Sequence, residues 1–542
     1  MLSRDSGSVM PLYIMIVLLM IMLAAPLYSC GSSGEKPKDE RITVRLAAPQ
    51  NAYIEDFDAN MYKLWLEEQT GLDLEITWLP DKDAEQIVKM ALATGDGLPD
   101  AYIGFGSQSL FRNPGIQEYG ESGAIIPLDG FIEEYGDNTK KLFAELPEYH
   151  IRDLMTSADG HIYYMPGFSS SVITMYRNVM WVNKGWLDAL GLDVPKTTDE
   201  FRDMLFAFKN MDPNRNGTLD EIPFAGTETF YSKNVYDFLF NAFIYNNEEN
   251  TRLLLENGIV GFAPVRDEWR EALKYMRGLY DDGLISPLSF TQDDQQMKQM
   301  ANDPRDILGA FMSPGVTYTI LQNSDEIMER YIGIGPLSGP DGVKLSTVHT
   351  PIPRPNGVIT AVCKNPVEVF KLFDLMLSEE ACLMGRYGEK SVDWDFAEPG
   401  DTSIYGTPAT IHIYNQLWNT PQNKHLMQIC PYVSRPKYSG GVTWNGDIAD
   451  GEYINAQAAL QYRDFEPEEF VGALAFTPEE EAGIKEVRIG IEKYIKETII
   501  DFIVGKRDIY DDAEWEAYVN GFIDLELEAF LRVAQTAYDR QM

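Results

Sequence analysis

Oxygen-bearing side chains recur at close spacing in Asp212-Pro-Asn214-Arg-Asn216-Gly217-Thr218-Leu-Asp220-Glu221-Ile-Pro. Counted as an EF-hand-type loop, Asp212, Asn214, Asn216 and Asp220 fall at positions 1, 3, 5 and 9. Gly217 stands at position 6, where the loop turns sharply, and Thr218 at position 7 offers its carbonyl. Calcium takes about six to eight oxygens, which such a loop supplies compactly. Position 12 is Pro223, where a bidentate glutamate is usual, and Glu221 is the substitute. The same residues are also good turn chemistry, able to close a helix at Met211 with no metal. Without a flanking helix pair, the expectation is a structural Ca2+ site and not a switch.

Catalytic patterns are absent. The five histidines begin HIRDL, HIYYM, HTPIP, HIYNQ and HLMQI, and none opens an HExxH. Gly167-Phe-Ser169-Ser-Ser171 lacks the second glycine of a nucleophile elbow, and Gly104-Phe-Gly106-Ser-Gln-Ser109 lacks the third glycine of a dinucleotide fingerprint. With 84 acids some carboxylate pair always exists, so a glycosidase pair carries no weight. These absences favour a non-enzyme. Nine Trp and 29 Tyr invite a carbohydrate reading instead, since flat rings stack on sugar faces. Candidate ligand contacts are Tyr164, Trp444, Trp394, Trp418, Tyr102 and Phe105, each with buried core as its bland alternative.

The elements that must position these groups begin at the N-terminus. Met10–Leu27 is almost unbroken apolar sequence, long enough for a signal peptide or a membrane span. It ends in Leu27-Tyr28-Ser29-Cys30-Gly31, a lipobox-like sequence in which cleavage leaves Cys30 as the lipid-carrying first residue; an uncleaved anchor is the alternative. The formal charge of −39 makes nucleic acid a poor partner and argues against adhesion to anionic lipid through side chains. Attachment then falls to the lipid. Cys363, Cys382 and Cys430 show no metal-like spacing and read as isolated thiols, with one bridge among them the alternative.

Residues 30–40 read as a lipidated flexible tether. The strand pattern Ile42–Ala47, a helix across Asn60–Thr70, a strand at Leu74–Leu79, a helix across Ala84–Ala93 and a strand at AYIGFG give β-α-β-α-β, the mark of a parallel sheet covered by helices. Further helices are expected behind Thr198 as N-cap, at Asp267–Asp281, as one long helix over Val367–Gly388, and from Pro478 onward with breaks at Gly505 and Gly521. The fold class is α/β with a helical C-terminal part.

These landmarks resemble a family. ALATGDGLPDAYI (Ala91–Ile103), DGHIYYMPG (Asp159–Gly167), WVNKGWLDALGLDVPKTTDEF (Trp181–Phe201), LYDDGLISP (Leu279–Pro287), GPLSGPDG (Gly335–Gly342) and CKNPVEVFKLFDLMLSEEACLMGRYG (Cys363–Gly388) follow in the order of an extracellular solute-binding lipoprotein of an ABC sugar importer, of the large oligosaccharide-binding branch of Gram-positive bacteria. The resemblance implies a two-lobed periplasmic-binding-protein-like fold with a hinge and an interlobe cleft. It implies a signal peptide at 1–29, a first lobe of 41–167 plus 345–395, and a second of 168–344 plus 396–542. It also implies calcium on Asp212, Asn214, Asn216, Asp220, Glu221 and the carbonyl of Thr218, and a palmitate-type lipid on Cys30. The expected protein is a monomer on the outer face of the cell membrane that passes an oligosaccharide to ABC permease subunits. A surface glycan hydrolase, a peptide or other polar-solute binder, and a sensory lipoprotein are the rival readings.

Overall fold

The computed structural model describes residues 41–542 except 107–109, 112–114, 321–324, 416, 418–420, 444–450 and 542. Cys30, Trp418 and Trp444, with the expected signal peptide and tether, lie outside the described residues. Among the described residues no helix is long and apolar enough to cross a membrane.

The chain opens with strand β1 (Ile42–Pro49), helix Met61–Thr70, β2 (Leu72–Leu79), helix Ala84–Thr94 and β3 (Ala101–Ile103). The punctuation is local chemistry. Asn60 caps the first helix by accepting from the N–H groups of Tyr62 and Lys63, and Gly71 ends it at φ +68°. Both β2 and β3 pair parallel with β1. The sheet is completed by β4 (Met165–Ser169), β11 (Arg354–Ile359) and β14 (Tyr432–Ser434), in the order β14-β4-β11-β3-β1-β2. A core including Leu46, Leu66, Tyr102, Phe168, Val358 and Phe373 forms around it.

A second sheet, ordered β10-β5-β9-β6, holds β5 (Val179–Asn183), β6 (Ile222–Phe224), β9 (Leu308–Ser313) and β10 (Tyr331–Ile334). Two hairpin pairs, β7 (Leu253–Glu256) with β8 (Ile259–Phe262) and β12 (Trp394–Phe396) with β13 (Ile411–Ile413), complete the strands. Trp181, Phe224, Trp269 and Phe311 are buried in the second core, which also takes the C-terminal helices Pro478–Ile503, Asp512–Asp524 and Leu527–Gln541.

Several expectations need correction. The second lobe does not take all of 396–542: Tyr432–Ser434 add a strand to the first sheet, parallel to β4, and Leu426, Ile429, Cys430 and Val433 join its core. Conversely Leu383, Tyr387 and Trp394, from the stretch 345–395 expected in the first lobe, pack into the second core. The long helix over Val367–Gly388 is two, Pro366–Met376 and Glu379–Tyr387, because the Ser378 side chain accepts from the N–H of Ala381 and starts a new helix. Thr197, not Thr198, is the N-cap of helix Thr198–Asn210, in a capping box with Glu200. Gly521 breaks nothing: it sits inside a helix where a Cβ would stand 2.3 Å from Tyr494 Oη, so glycine there admits the tyrosine. The three described cysteines are free thiols.

The chain passes between the sheets after β4, before β11 and after β14. Where it does so, His349 N–H donates to Met175 O at 2.9 Å and His349 Nε2 lies 3.1 Å from Glu248 Oε1. Burial pushes the Glu248 carboxyl up, but His349, Arg177 and Arg252 more than offset this and hold it well below the usual range. Arg177 pairs with Glu249, and Asn247 Nδ2 donates to Val348 O at 2.9 Å. These contacts tie the crossings after β4 and before β11 to the second lobe.

Candidate functional site

In open α/β sheets ligands bind beyond the carboxyl ends of strands. Beyond β6 the loop Thr227–Asn234 carries Phe230 and Tyr231, whose rings stack with centroids 4.4 Å apart. Beyond β9 the next loop carries Tyr318. Tyr231 is 49% exposed and Tyr318 40%, two open rings on neighbouring loops. They are nevertheless hemmed in: burial pushes the Tyr318 phenol up to about 12 and raises that of Tyr231, the latter against the pull of Arg177 and Arg354.

The loops are held by a buried cation. Lys233, 1% exposed, donates to Asp294 Oδ1 at 2.7 Å and to Tyr318 O at 2.8 Å, and its ammonium lies 4.6 Å from the Phe230 ring centroid. Burial pulls its pKa down to about 8 although Asp294 opposes the shift. Arg177, from the first crossing, lies 5.2 Å from the Tyr231 ring centroid. The hinge contacts and the ring are thus physically continuous.

Facing these rings from the first lobe are Arg354 at the start of β11 and half-buried Tyr432 on β14. The Arg354 charge acts on Tyr231, Tyr318 and Tyr432, and the Arg386 charge on Tyr318 and Tyr432. The two guanidinium charges are thus felt by phenols of both lobes, Tyr318 and Tyr432. A larger interlobe space of about 830 Å³ shares Glu248 and Glu249 with the hinge. Its rings are Phe476 and Phe530, and Phe530 is itself buried, so it offers less to a stacking ligand. A groove of about 660 Å³ along β1 and β2 is lined by Phe57, Trp78 and Tyr102.

The expected ligand residues do not converge here. Tyr164, Tyr102, Phe105 and Trp394 are each at most 4% exposed. The Tyr164 hydroxyl donates to Pro353 O, joining two crossings, and Trp394 Nε1 donates to Gly388 O at 3.0 Å. Phe105 packs edge-on to Tyr102 and Phe111. All four are core, closed in by internal neighbours; Tyr102 alone borders a groove. Tyr231, Tyr318 and Arg354 were missed. The usable signal was an aromatic in a polar loop just past a strand: IPFAGTETFYS and FMSPGVTY.

The acidic loop keeps its sequence order in space. Asp212 Oδ1 and Asn214 Oδ1 each accept from Asn216 N–H at 3.0 Å, Asp212 Oδ2 accepts from Gly217 N–H at 3.1 Å, and Asn216 Oδ1 accepts from Thr218 N–H at 2.7 Å. Asn216 Nδ2 donates to Asp220 Oδ1 at 2.8 Å. Asp212 and Arg215 take positive φ, and Gly217 lies at φ +82°, where glycine alone carries no Cβ penalty. Both carboxylate oxygens of Glu221 are buried without a hydrogen-bond partner. Burial, with Asp212 and Asp220 alongside, raises its pKa. Among the described residues no group of three or more His, Cys, Asp and Glu side chains gathers at metal-holding distances. Of the six expected ligands here, two are amides and one a backbone carbonyl. An all-oxygen set with an orphaned carboxylate fits a hard cation.

Two α/β lobes, with rings and guanidinium groups from both meeting between them, define a two-lobed ligand-binding protein. The chain belongs to the family of bacterial extracellular solute-binding proteins, whose model matches residues 48–381. It is 28% identical over 509 residues to the fructooligosaccharide ABC transporter substrate-binding protein FusA of Streptococcus pneumoniae, covering 88% of this chain and 86% of that protein. FusA in complex with kestose matches with a TM-score of 0.74 at 24% identity, over 92% of this chain and 99% of that one. An EF-hand mutant of FusA in complex with fructo-nystose matches at 0.73 and 24%, with the same coverage. The polygalacturonan/rhamnogalacturonan-binding protein YtcQ of Bacillus subtilis is 26% identical over 346 residues, 61% of this chain and 63% of that protein.

Proposed function

We propose that this protein captures an oligosaccharide between its lobes and delivers it to ABC permease subunits, acting as a lipid-anchored monomer on the outer face of the cell membrane. The observation that carries the reading is the pair of exposed rings, Tyr231 and Tyr318, on the loops beyond the carboxyl ends of β6 and β9. Exposed phenol rings offer flat apolar faces to pyranose or furanose rings and hydroxyls to their edges. Ligand contacts on both lobes favour the closed arrangement, and a ligand shifts that equilibrium only by its differential affinity. The supporting comparisons are with relatives named for binding oligo- and polysaccharides.

In the same reading, Asp212, Asn214, Asn216, Asp220, Glu221 and the carbonyl of Thr218 hold one structural calcium ion. Support comes from the orphaned Glu221 oxygens and from an EF-hand being present to mutate in FusA. Calcium there supplies charge neutralisation and pins the loop to the end of helix Thr198–Asn210. Cys30 carries the lipid.

Calorimetry against an oligosaccharide panel, with chromatography of the same mixtures, tests the central point. Stoichiometric binding without products is expected. Turnover would make the protein a hydrolase and sink the proposal. Metal analysis should find one calcium per chain, and membrane-fraction mass spectrometry should find lipid on Cys30 that is lost in Cys30→Ala.

A further inference from the structure

Arg354 stands in an unusual setting. It pairs in register with Gly167 on β4, and Gly167 pairs on its other side with Tyr432 on β14. Register partners point to one face, so Arg354 and Tyr432 flank a position that has no side chain. A Cβ at Gly167 would stand 2.5 Å from Asn356 Nδ2 and 2.9 Å from Tyr432 Cε1, so the asparagine amide and the tyrosine ring fill that space. On the side of β3, a Cβ at Gly106 would stand 2.0 Å from Asn356 Oδ1 and 3.1 Å from Arg354 Cβ. Two glycines thus admit the Asn356 amide and the Tyr432 ring beside an exposed guanidinium, whose charge acts on the exposed Tyr231 and Tyr318 of the other lobe.

Charge pairing separates Arg354 from its neighbours. Arg177 pairs with Glu249, Lys233 with Asp294 and Arg386 with Glu452. Among the described residues Arg354 has no carboxylate or hydrogen-bond partner, although the chain has 84 acids to 45 basic residues. A guanidinium matches a carboxylate through two parallel N–H···O bonds, a geometry that a lone hydroxyl does not satisfy. The net charge of −39 works against an anion only at long range, and salt screens it beyond about 8 Å.

We propose that Arg354 is the specificity-determining residue of the cleft and that the ligand is an acidic oligosaccharide, with a uronate carboxylate seated bidentate on Arg354 between the Tyr231 and Tyr318 rings. This rests on the oligosaccharide reading above and narrows it to a charge class. The test is calorimetry on the calcium-supplemented protein with uronate-containing oligosaccharides, each paired with its methyl ester, alongside neutral oligosaccharides including kestose. Esterification leaves length and linkage unchanged and removes only the charge. The acid should bind at least about tenfold more tightly than its ester, and its affinity should fall as salt is raised. Arg354→Ala should abolish the difference between acid and ester, with Arg354→Lys intermediate. Equal affinity for acid and ester, or binding of neutral chains alone, overturns the acidic assignment and leaves oligosaccharide capture standing. Binding of no member of the panel overturns both. Should Arg354→Ala fail to fold, the wild-type acid–ester comparison decides by itself.

Discussion

The Asp212–Glu221 loop and the lobe junction are opposite versions of one problem. In the loop, the protein half-buries a carboxylate, Glu221, beside two more acids, with both oxygens shielded from solvent and no side-chain donor. At the junction it exposes a cation, Arg354, and gives it no acid among the described residues. A buried ionisable group without a partner is costly, whereas an exposed one is not. The first arrangement therefore bears on stability and points to a resident ion. The second bears on selectivity and points to a ligand that comes and goes. Within the junction the paired cations, Arg177 and Lys233, position rings and loops, while the unpaired one is left to meet the ligand.

The sharpest break of this comparison is at the loop. Chelation, or Asp212→Ala combined with Glu221→Gln, should remove the bound calcium and lower the melting temperature. A site held at 1,000 times its Kd contributes about 4 kcal/mol, so the shift should be several degrees in calorimetric melts. Glu221→Gln alone should raise the melting temperature of the calcium-free protein, because it removes the desolvated charge and leaves the loop otherwise intact.

At the junction, Arg354→Ala should lose about 1.5–3 kcal/mol of ligand affinity, measured by titration, with an unchanged melt in the absence of ligand. That pattern, affinity without stability, is the reverse of the loop. Lys233 tests the paired class. Its folded pKa of about 8 lies below the ordinary 10.5. A base with a depressed pKa contributes stability that is present above 10.5 and lost as pH falls through 8. Wild type should therefore gain stability relative to Lys233→Met between pH 7 and 10.5, on the order of 2 kcal/mol, readable from denaturant titrations across that range. The smallest effect is expected at Tyr231→Ala, about 0.5–1.5 kcal/mol of affinity for lost stacking, while Tyr164→Phe should leave binding unchanged.

Local chemistry made the loop legible. Asp212, Asn214, Asn216, Gly217 and Asp220 lie within nine residues, so their spacing in sequence is their spacing in space. The alternation of strands and helices from Ile42 to Ile103 was readable for the same reason, with Asn60 and Gly71 marking their own ends. The junction was not. Tyr231, Tyr318, Arg354 and Tyr432 come from four loops and strands, and what distinguishes them from Tyr102, Tyr164 or Trp394 is exposure, which composition does not encode. The ring-rich segments chosen from sequence were core for the ordinary reason that large apolar rings are buried when they have neighbours.

By itself the sequence determined the α/β alternation, the oxygen-rich loop, the acidity that excludes nucleic acid and the family to which the chain belongs. Tertiary structure alone decided that β14 returns to the first sheet, that Gly167 leaves room for Asn356 and Tyr432 beside Arg354, and that Arg354 meets no acid among the described residues. The physical reason is range. Caps, turns and ligand loops are settled by neighbours along the chain, whereas burial and charge pairing depend on partners hundreds of residues away.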